Sequence, residues 1–207
     1  MLLSEIQDIL RQNGFAQFSR PYELNIIGIR SDAVQADRFD DFITVHFRQP
    51  DGNWRLYSYA ATTDPGTYWL ENPLNPQGTA ILKEGQYLNS YCLGLHRGIY
   101  KALVQKNPVT VMRDYDRNAV LDFANGTAFT GMFGINIHRA TQSGTTKYVD
   151  RHSAGCQVFA DASDFEQFLL LCERHRQLYG NVFTYTLLDQ RAVNRDIKKN
   201  CCWGLAS

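Results

Sequence analysis

Apolar positions recur at helical spacing near the two ends of the chain and at strand spacing between them. Leu3, Ile6, Ile9 and Leu10 form one stripe, which predicts a short helix over Ser4 to Asn13. Ser4 is its expected cap, Gln7 completes a capping box, and Gly14 ends it. After Pro21 the pattern changes. Leu24 to Arg30 and Asp41 to Phe47 are rich in β-branched and aromatic residues, and Pro50-Asp51-Gly52-Asn53 joins the second run to Trp54 through Tyr59 as a hairpin. Thr62 to Gln77, with Pro65, Gly66, Pro73 and Pro76, reads as a loop. Strands are predicted at Thr79 to Lys83, Gln86 to Leu93 and Val109 to Arg113, and Ala119 to Phe123 is expected to pair with the last of these across the turn Asp114 to Asn118. Gly134 to His138 reads as a strand, Arg139 to Ala154 as a long polar loop, and Cys156 to Ala160 as an extended or buried segment. A second helix is expected from Ser163, with Glu166 in its capping box, with Phe165, Phe168, Leu169, Cys172 and Tyr179 on its apolar face, and with Gly180 as its stop. Val182 to Leu188 alternates as a last strand. The sum is a mainly β domain over 21–190, led in by a helical segment over 1–20 and followed by a polar tail over 191–207.

Charge narrows the function classes. Lys and Arg total 21, as do Asp and Glu, so the formal net charge is zero. A dedicated nucleic-acid surface would carry an excess of clustered basic residues, so no nucleic-acid partner is expected. The longest apolar runs, such as Phe168 to Cys172, are far short of the roughly 20 residues a bilayer crossing needs, so no membrane span is expected. Met1-Leu2-Leu3-Ser4-Glu5 lacks the basic front of a secretory signal, so any action outside the cytoplasm would need a route without a cleaved signal. The cysteines are Cys92, Cys156, Cys172, Cys201 and Cys202; their odd number and the lack of C-x-x-C spacing argue against a disulfide framework or a metal site, and no cofactor is expected.

One stretch carries chemistry: a strand ending in His138, a loop, then Ser153-Ala154-Gly155-Cys156-Gln157. A cysteine nucleophile needs a base, exposure of its sulfur and donors for the oxyanion it generates. His138 is the candidate base, and Gly155 allows a tight turn that offers the backbone N–H groups of Ala154, Gly155 and Cys156 as oxyanion donors. A thiol pKa below the usual value of about 8.5 is the expectation for such a cysteine. Arg139, Lys147 and Arg151 flank the pair and are either contacts for substrate carboxylates or solvated loop charges. His46 and His96 have no partner visible in the sequence and are read as structural, as is Cys172 on the helix face.

The spacing of His138, Ser153, Gly155 and Cys156 resembles the active-site signature of the L,D-transpeptidases, the YkuD-like cysteine enzymes of peptidoglycan. Asp64-Pro65-Gly66-Thr67 and Gly78-Thr79-Ala80-Ile81 are similar to the segment preceding an early core strand of that family. The resemblance covers roughly Thr62 to Phe159. It implies a β-sandwich with short flanking helices, a Cys156 thioester formed on stem peptides, and substrate contacts from Ser153, Gln157, Arg139 and Arg151. It implies cross-linking, D-amino-acid exchange or L,D-carboxypeptidase action at the cell wall; since members of that family are normally exported or anchored and neither device is visible here, delivery by other means is expected, as a phage lysis or tail protein or an injected effector. Two features depart from the signature: Ala154 stands where a His precedes the Gly, and Gln157-Val158 replaces a basic or amide pair after the Cys. His152 lies close enough in sequence to replace the missing His in part. The same departures suit a rival reading, a non-catalytic wall-binding or phage structural protein with a decayed site.

Overall fold

The computed structural model describes residues 1–123 and 127–190; the expected tail, with Cys201 and Cys202, lies outside them. The order is α1 (Leu3–Gln12), β1 (Asn25–Arg30), β2 (Asp41–Arg48), β3 (Trp54–Thr62), α2 (Thr67–Glu71), β4 (Thr79–Leu82), β5 (Gly85–His96), β6 (Tyr100–Gln105), β7 (Val109–Asp114), β8 (Phe129–Gly131), β9 (Ile137–Arg139), β10 (Gln157–Phe159), α3 (Ala162–Tyr179) and β11 (Phe183–Asp189). The protein is mainly β, as the alternation of its apolar positions predicts.

Eight strands close into a barrel in the order β1-β11-β5-β6-β9-β10-β3-β2, and β4-β7-β8 form a separate small sheet. This differs from a sandwich of two open layers. Closure follows from two parallel ladders, β1 on β11 and β9 on β10, which leave the large sheet without a free edge. Between β6 and β9 the ring is held by one pair, Leu103 opposite Ile137. The β2–β3 hairpin forms where the turn chemistry puts it: Gly52 takes φ +87, and the Asp51 carboxylate accepts the Asn53 N–H at 2.9 Å.

Several local expectations are corrected. Leu2, not Ser4, caps α1, and its N–H donates to the Glu5 carboxylate at 2.6 Å. Asp161, not Ser163, caps α3, accepting the N–H groups of Ser163 and Asp164, because a carboxylate just before the first turn reaches both donors. The loop after β3 contains α2. Ala119 to Phe123 does not pair with β7, whose edges are taken by β4 and β8; Val120 bridges to Gln35, and Leu121 donates to Val34 O at 2.8 Å.

The main core lies inside the barrel and against α3 and the small sheet, with smaller clusters beside it. Ile26, Val45, Tyr91, Leu103, Ile137 and Tyr185 from the barrel share it with Phe165, Phe168 and Cys172 of α3 and with Ala80, Leu82 and Val111 of the small sheet. Alternation sends the remaining apolar residues of β1 outward, where Ile27 and Ile29 meet Ile6 and Leu10 of α1. Among the described residues no helix is long and apolar enough to cross a membrane.

Beside the core, Arg30 and Asp64 form a buried ion pair at 2.8 Å. Arg30 also donates to Leu82 O at 2.9 Å, and the Asp41 carboxylate accepts Thr63 N–H at 2.6 Å. This network anchors the Thr63–Gly66 turn, and Gly66 N–H then donates to Ser153 O at 2.9 Å. The early Pro/Gly loop is thereby tied to the Ser153–Cys156 turn.

Candidate active site

The parallel register puts Val158 opposite His138 and Gln157 opposite Ile137. Ile137 and Gln157 point into the core, so His138 lies on the other face, together with the side of the register that Asn136 and Cys156 extend. His138 and Cys156 are thus diagonal neighbours on one face of the parallel pair.

His138 is buried and its Nδ1 lies 2.8 Å from Arg139 O. A carbonyl only accepts, so Nδ1 carries the proton and Nε2 keeps its lone pair. Tyr100 OH, 3.2 Å from both Nδ1 and Arg139 O, braces the same corner. Burial, with His96 adding to it, pushes the His138 pKa down to about 3, so the ring is neutral at any ordinary pH. A pKa this far below the working pH makes the resting imidazole a weak proton acceptor.

Cys156 is half-buried. Its sulfur accepts the Asn136 N–H at 3.4 Å, and its S–H points to Gly134 O at 3.5 Å. No hydrogen bond joins it to His138. The expectation of a depressed thiol pKa is corrected: burial pushes it up, and the Asn136 N–H and Arg97 only partly oppose that. The resting pair is neutral thiol and neutral imidazole.

The turn before Cys156 is shaped from within. Gly155 takes φ +116 and packs so closely on the Ala80 carbonyl that a side chain has no room. Ser153 is fully buried; its Oγ accepts the Gly155 N–H at 3.1 Å and donates to Cys156 O at 2.8 Å. Gln157 is equally buried: its Nε2 donates to Thr63 O at 3.2 Å and Gly155 O at 3.3 Å, and its Oε1 accepts Tyr185 OH at 2.7 Å. The expected substrate contacts of both residues are corrected: the structure makes them supports of the turn. Because Gly155 N–H is engaged, it is also withdrawn from the expected oxyanion donors, leaving Ala154 and Cys156 N–H.

The flanking arginines stack on aromatic rings. Arg139 lies over the Tyr100 ring at 4.7 Å and Arg151 over Tyr68 at 3.9 Å, both without an acidic partner among the described residues. Lys147 and His152 are exposed on the loop.

His96 joins the site although the sequence gives it no partner. It ends β5, and its ring stacks on His138 with centroids 4.0 Å apart. Asn136 links it to the thiol: Oδ1 accepts Gln105 N–H at 2.9 Å, so Nδ2 faces His96 Nδ1 at 3.1 Å while the backbone N–H holds Cys156. The His96 ring therefore accepts at Nδ1, and the two imidazoles hold opposite tautomers. Burial lowers the His96 pKa as well. Only the pairing of β5 with β6 and of β6 with β9 joins these distant segments, so sequence spacing has no signal for it. A cavity of about 280 Å³ opens beside the turn, walled by Trp69, Thr79, Ala80, Arg113, Phe133 and Ala154 among others. Among the described residues no group of His, Cys, Asp and Glu is arranged to hold a metal ion.

Comparison with family models, with curated proteins and with solved structures returned no match for this chain.

Proposed function

We propose that this chain is a cysteine enzyme that transfers or hydrolyses acyl groups of peptidoglycan stem peptides through a thioester on Cys156. The observation that carries the reading is the pairing of β9 with β10, which presents His138 and Cys156 on one face with His138 Nε2 left as the free acceptor. Substrate binding displaces the S–H from Gly134 O. The sulfur attacks the carbonyl between the L-centre of a diacidic stem residue and the following D-residue, and its proton passes to His138 Nε2. Ala154 and Cys156 N–H groups receive the oxyanion. The intermediate collapses, the C–N bond breaks, and the imidazolium returns its proton to the departing amine. An amine or water, deprotonated by the same ring, then cleaves the thioester. With both groups neutral at rest, proton transfer accompanies attack and no standing thiolate is needed. The substrate sets the place of action at the cell wall.

One observation favours a rival, a wall-binding protein without turnover: the thiol is bonded to Gly134 O and not to His138. Intact mass spectrometry after exposure to tetrapeptide muropeptides separates the two. An adduct equal to the donor less its free D-amino acid, absent in Cys156→Ala and about 10²- to 10⁴-fold slower to form in His138→Ala, is expected. Muropeptide binding with no adduct and no product establishes the rival.

A further inference from the structure

The cavity beside the turn is lined by a cation, Arg113, that has no acidic partner among the described residues. Arg113 faces the barrel side of the small sheet, opposite Ala80 in the β4–β7 register. One of its N–H groups donates to Gly78 O at 3.0 Å, and its guanidinium lies 5.3 Å from the Phe133 ring centre. Its Nε is buried and has no hydrogen-bond partner. No carboxylate pairs with it among the described residues. The buried Arg30, by contrast, has Asp64 at 2.8 Å. An arginine offers five N–H donors in a planar fork that matches a carboxylate, and on this half-buried side chain the Nε is the donor left unmatched away from water. Desolvation is also what lowers the Arg113 pKa, with no acidic neighbour acting against it.

The cavity's position is informative too. Ala154, on one wall, is two residues from the thiol; Phe133, on another, precedes the Gly134 whose carbonyl holds it. Trp69, Leu74, Phe133 and Ala154 supply apolar lining, while Asn75 and Thr79 add polar groups. At about 280 Å³ the space sits just below the ~300 Å³ lower end of small-molecule sites, so it suits one residue rather than a length of peptide.

We propose that Arg113 and this cavity form a carboxylate subsite that receives one acidic residue of the donor peptide and sets it next to Cys156. The identity of the donor rests on the acyl-transfer reading; the existence of an anion site does not. The carboxylate has two possible sources, the terminal D-residue and the side chain of the diacidic residue.

The first test uses a small probe. N-acetyl-D-alanine and its amide are titrated into the wild-type protein, and into Arg113→Gln and Arg113→Lys, while the Trp69 indole NMR signal is followed. The acid is expected to shift that signal and the amide to bind roughly 10- to 100-fold more weakly. Arg113→Gln should remove the difference, and Arg113→Lys should restore part of it. Equal response to acid and amide in the wild-type protein, or an unchanged difference in Arg113→Gln, overturns the subsite. The second test measures binding to Cys156→Ala of a tetrapeptide amidated at the terminal D-residue or at the diacidic side chain. Weakening by one amidation, lost in Arg113→Gln, names the source; indifference to both overturns the proposal. If the acid probes depend on Arg113 but Cys156 never acylates, the subsite stands and the catalytic reading falls. Acylation that is indifferent to Arg113 leaves the catalytic reading standing and overturns the subsite.

Discussion

Gly155→Ala is the sharpest test of the site as built. At φ +116 the backbone lies where an L-residue is strained by about 1–3 kcal/mol. The new methyl would also lie far inside contact of the Ala80 carbonyl oxygen and 3.1 Å from Ile135 Cδ1. The first of these is backbone of a paired strand, which cannot turn aside, and overpacking of this kind costs about 1–3 kcal/mol more. The total is about 2–6 kcal/mol. For a chain of this length each kcal/mol moves Tm by about 2–4 °C, so a fall of at least about 4 °C is expected. Cys156 follows directly, and a shift of its backbone by about 1 Å would lower turnover about 10²-fold. Gly144→Ala is the control: its φ is also positive, at +68, but nothing lies within 4 Å, so only the left-handed penalty of about 1 kcal/mol applies. Thermal unfolding and muropeptide turnover are measured for both. Should Gly155→Ala melt within about 2 °C of Gly144→Ala and keep its activity, the close packing of the turn on β4 is refuted, and with it the reason a glycine precedes the cysteine.

Two further outcomes follow from buried polar groups. His46 and His138 are buried and neutral, with pKa values pushed down to about 4 and about 3, while both titrate near 6.5 when unfolded. Between those values the unfolded chain binds protons that the folded one does not, so stability falls as pH drops below 6.5, by up to about 1.4 kcal/mol per pH unit for each. His46 has no hydrogen-bond partner and packs beside Trp54, so His46→Phe should flatten the fall between pH 6.5 and 5 in urea midpoints; an unaltered slope contradicts this account. Gln157→Leu strands Tyr185 OH and frees Gly155 O, which should lower stability by about 1–3 kcal/mol; normal stability with a raised KM would return Gln157 to the substrate groove.

Much of this protein is legible in its sequence. The β-branched and aromatic content of Leu24–Arg30 and Asp41–Phe47 and the alternation of Val182–Leu188 mark strands locally, although the structure buries nearly every position of all three, which the local pattern does not report. The Asp51-Gly52 turn and the Gly180 stop are equally local. The candidate pair of Cys156 and His138 is legible because its signal is a spacing along the chain. What lies beyond reach is whatever depends on partners distant in sequence. β6 and the short β8 carry no sequence signal of their own, and closure of the barrel rests on pairings such as β6 with β9 and on the parallel joining of β1 to β11. Ser153 and Gln157 look like polar substrate contacts in sequence; the core-facing side of β10 and the buried Thr63 turn claim them as supports. The stack of His96 on His138 joins a hairpin end to a strand some forty positions away, and the placing of Arg113 beside Ala154 needs the small sheet to lie against the barrel. Local pattern decides which face of a segment is buried; only the tertiary pairing decides what that face meets, and here that pairing sets the thiol's environment and the cation beside it.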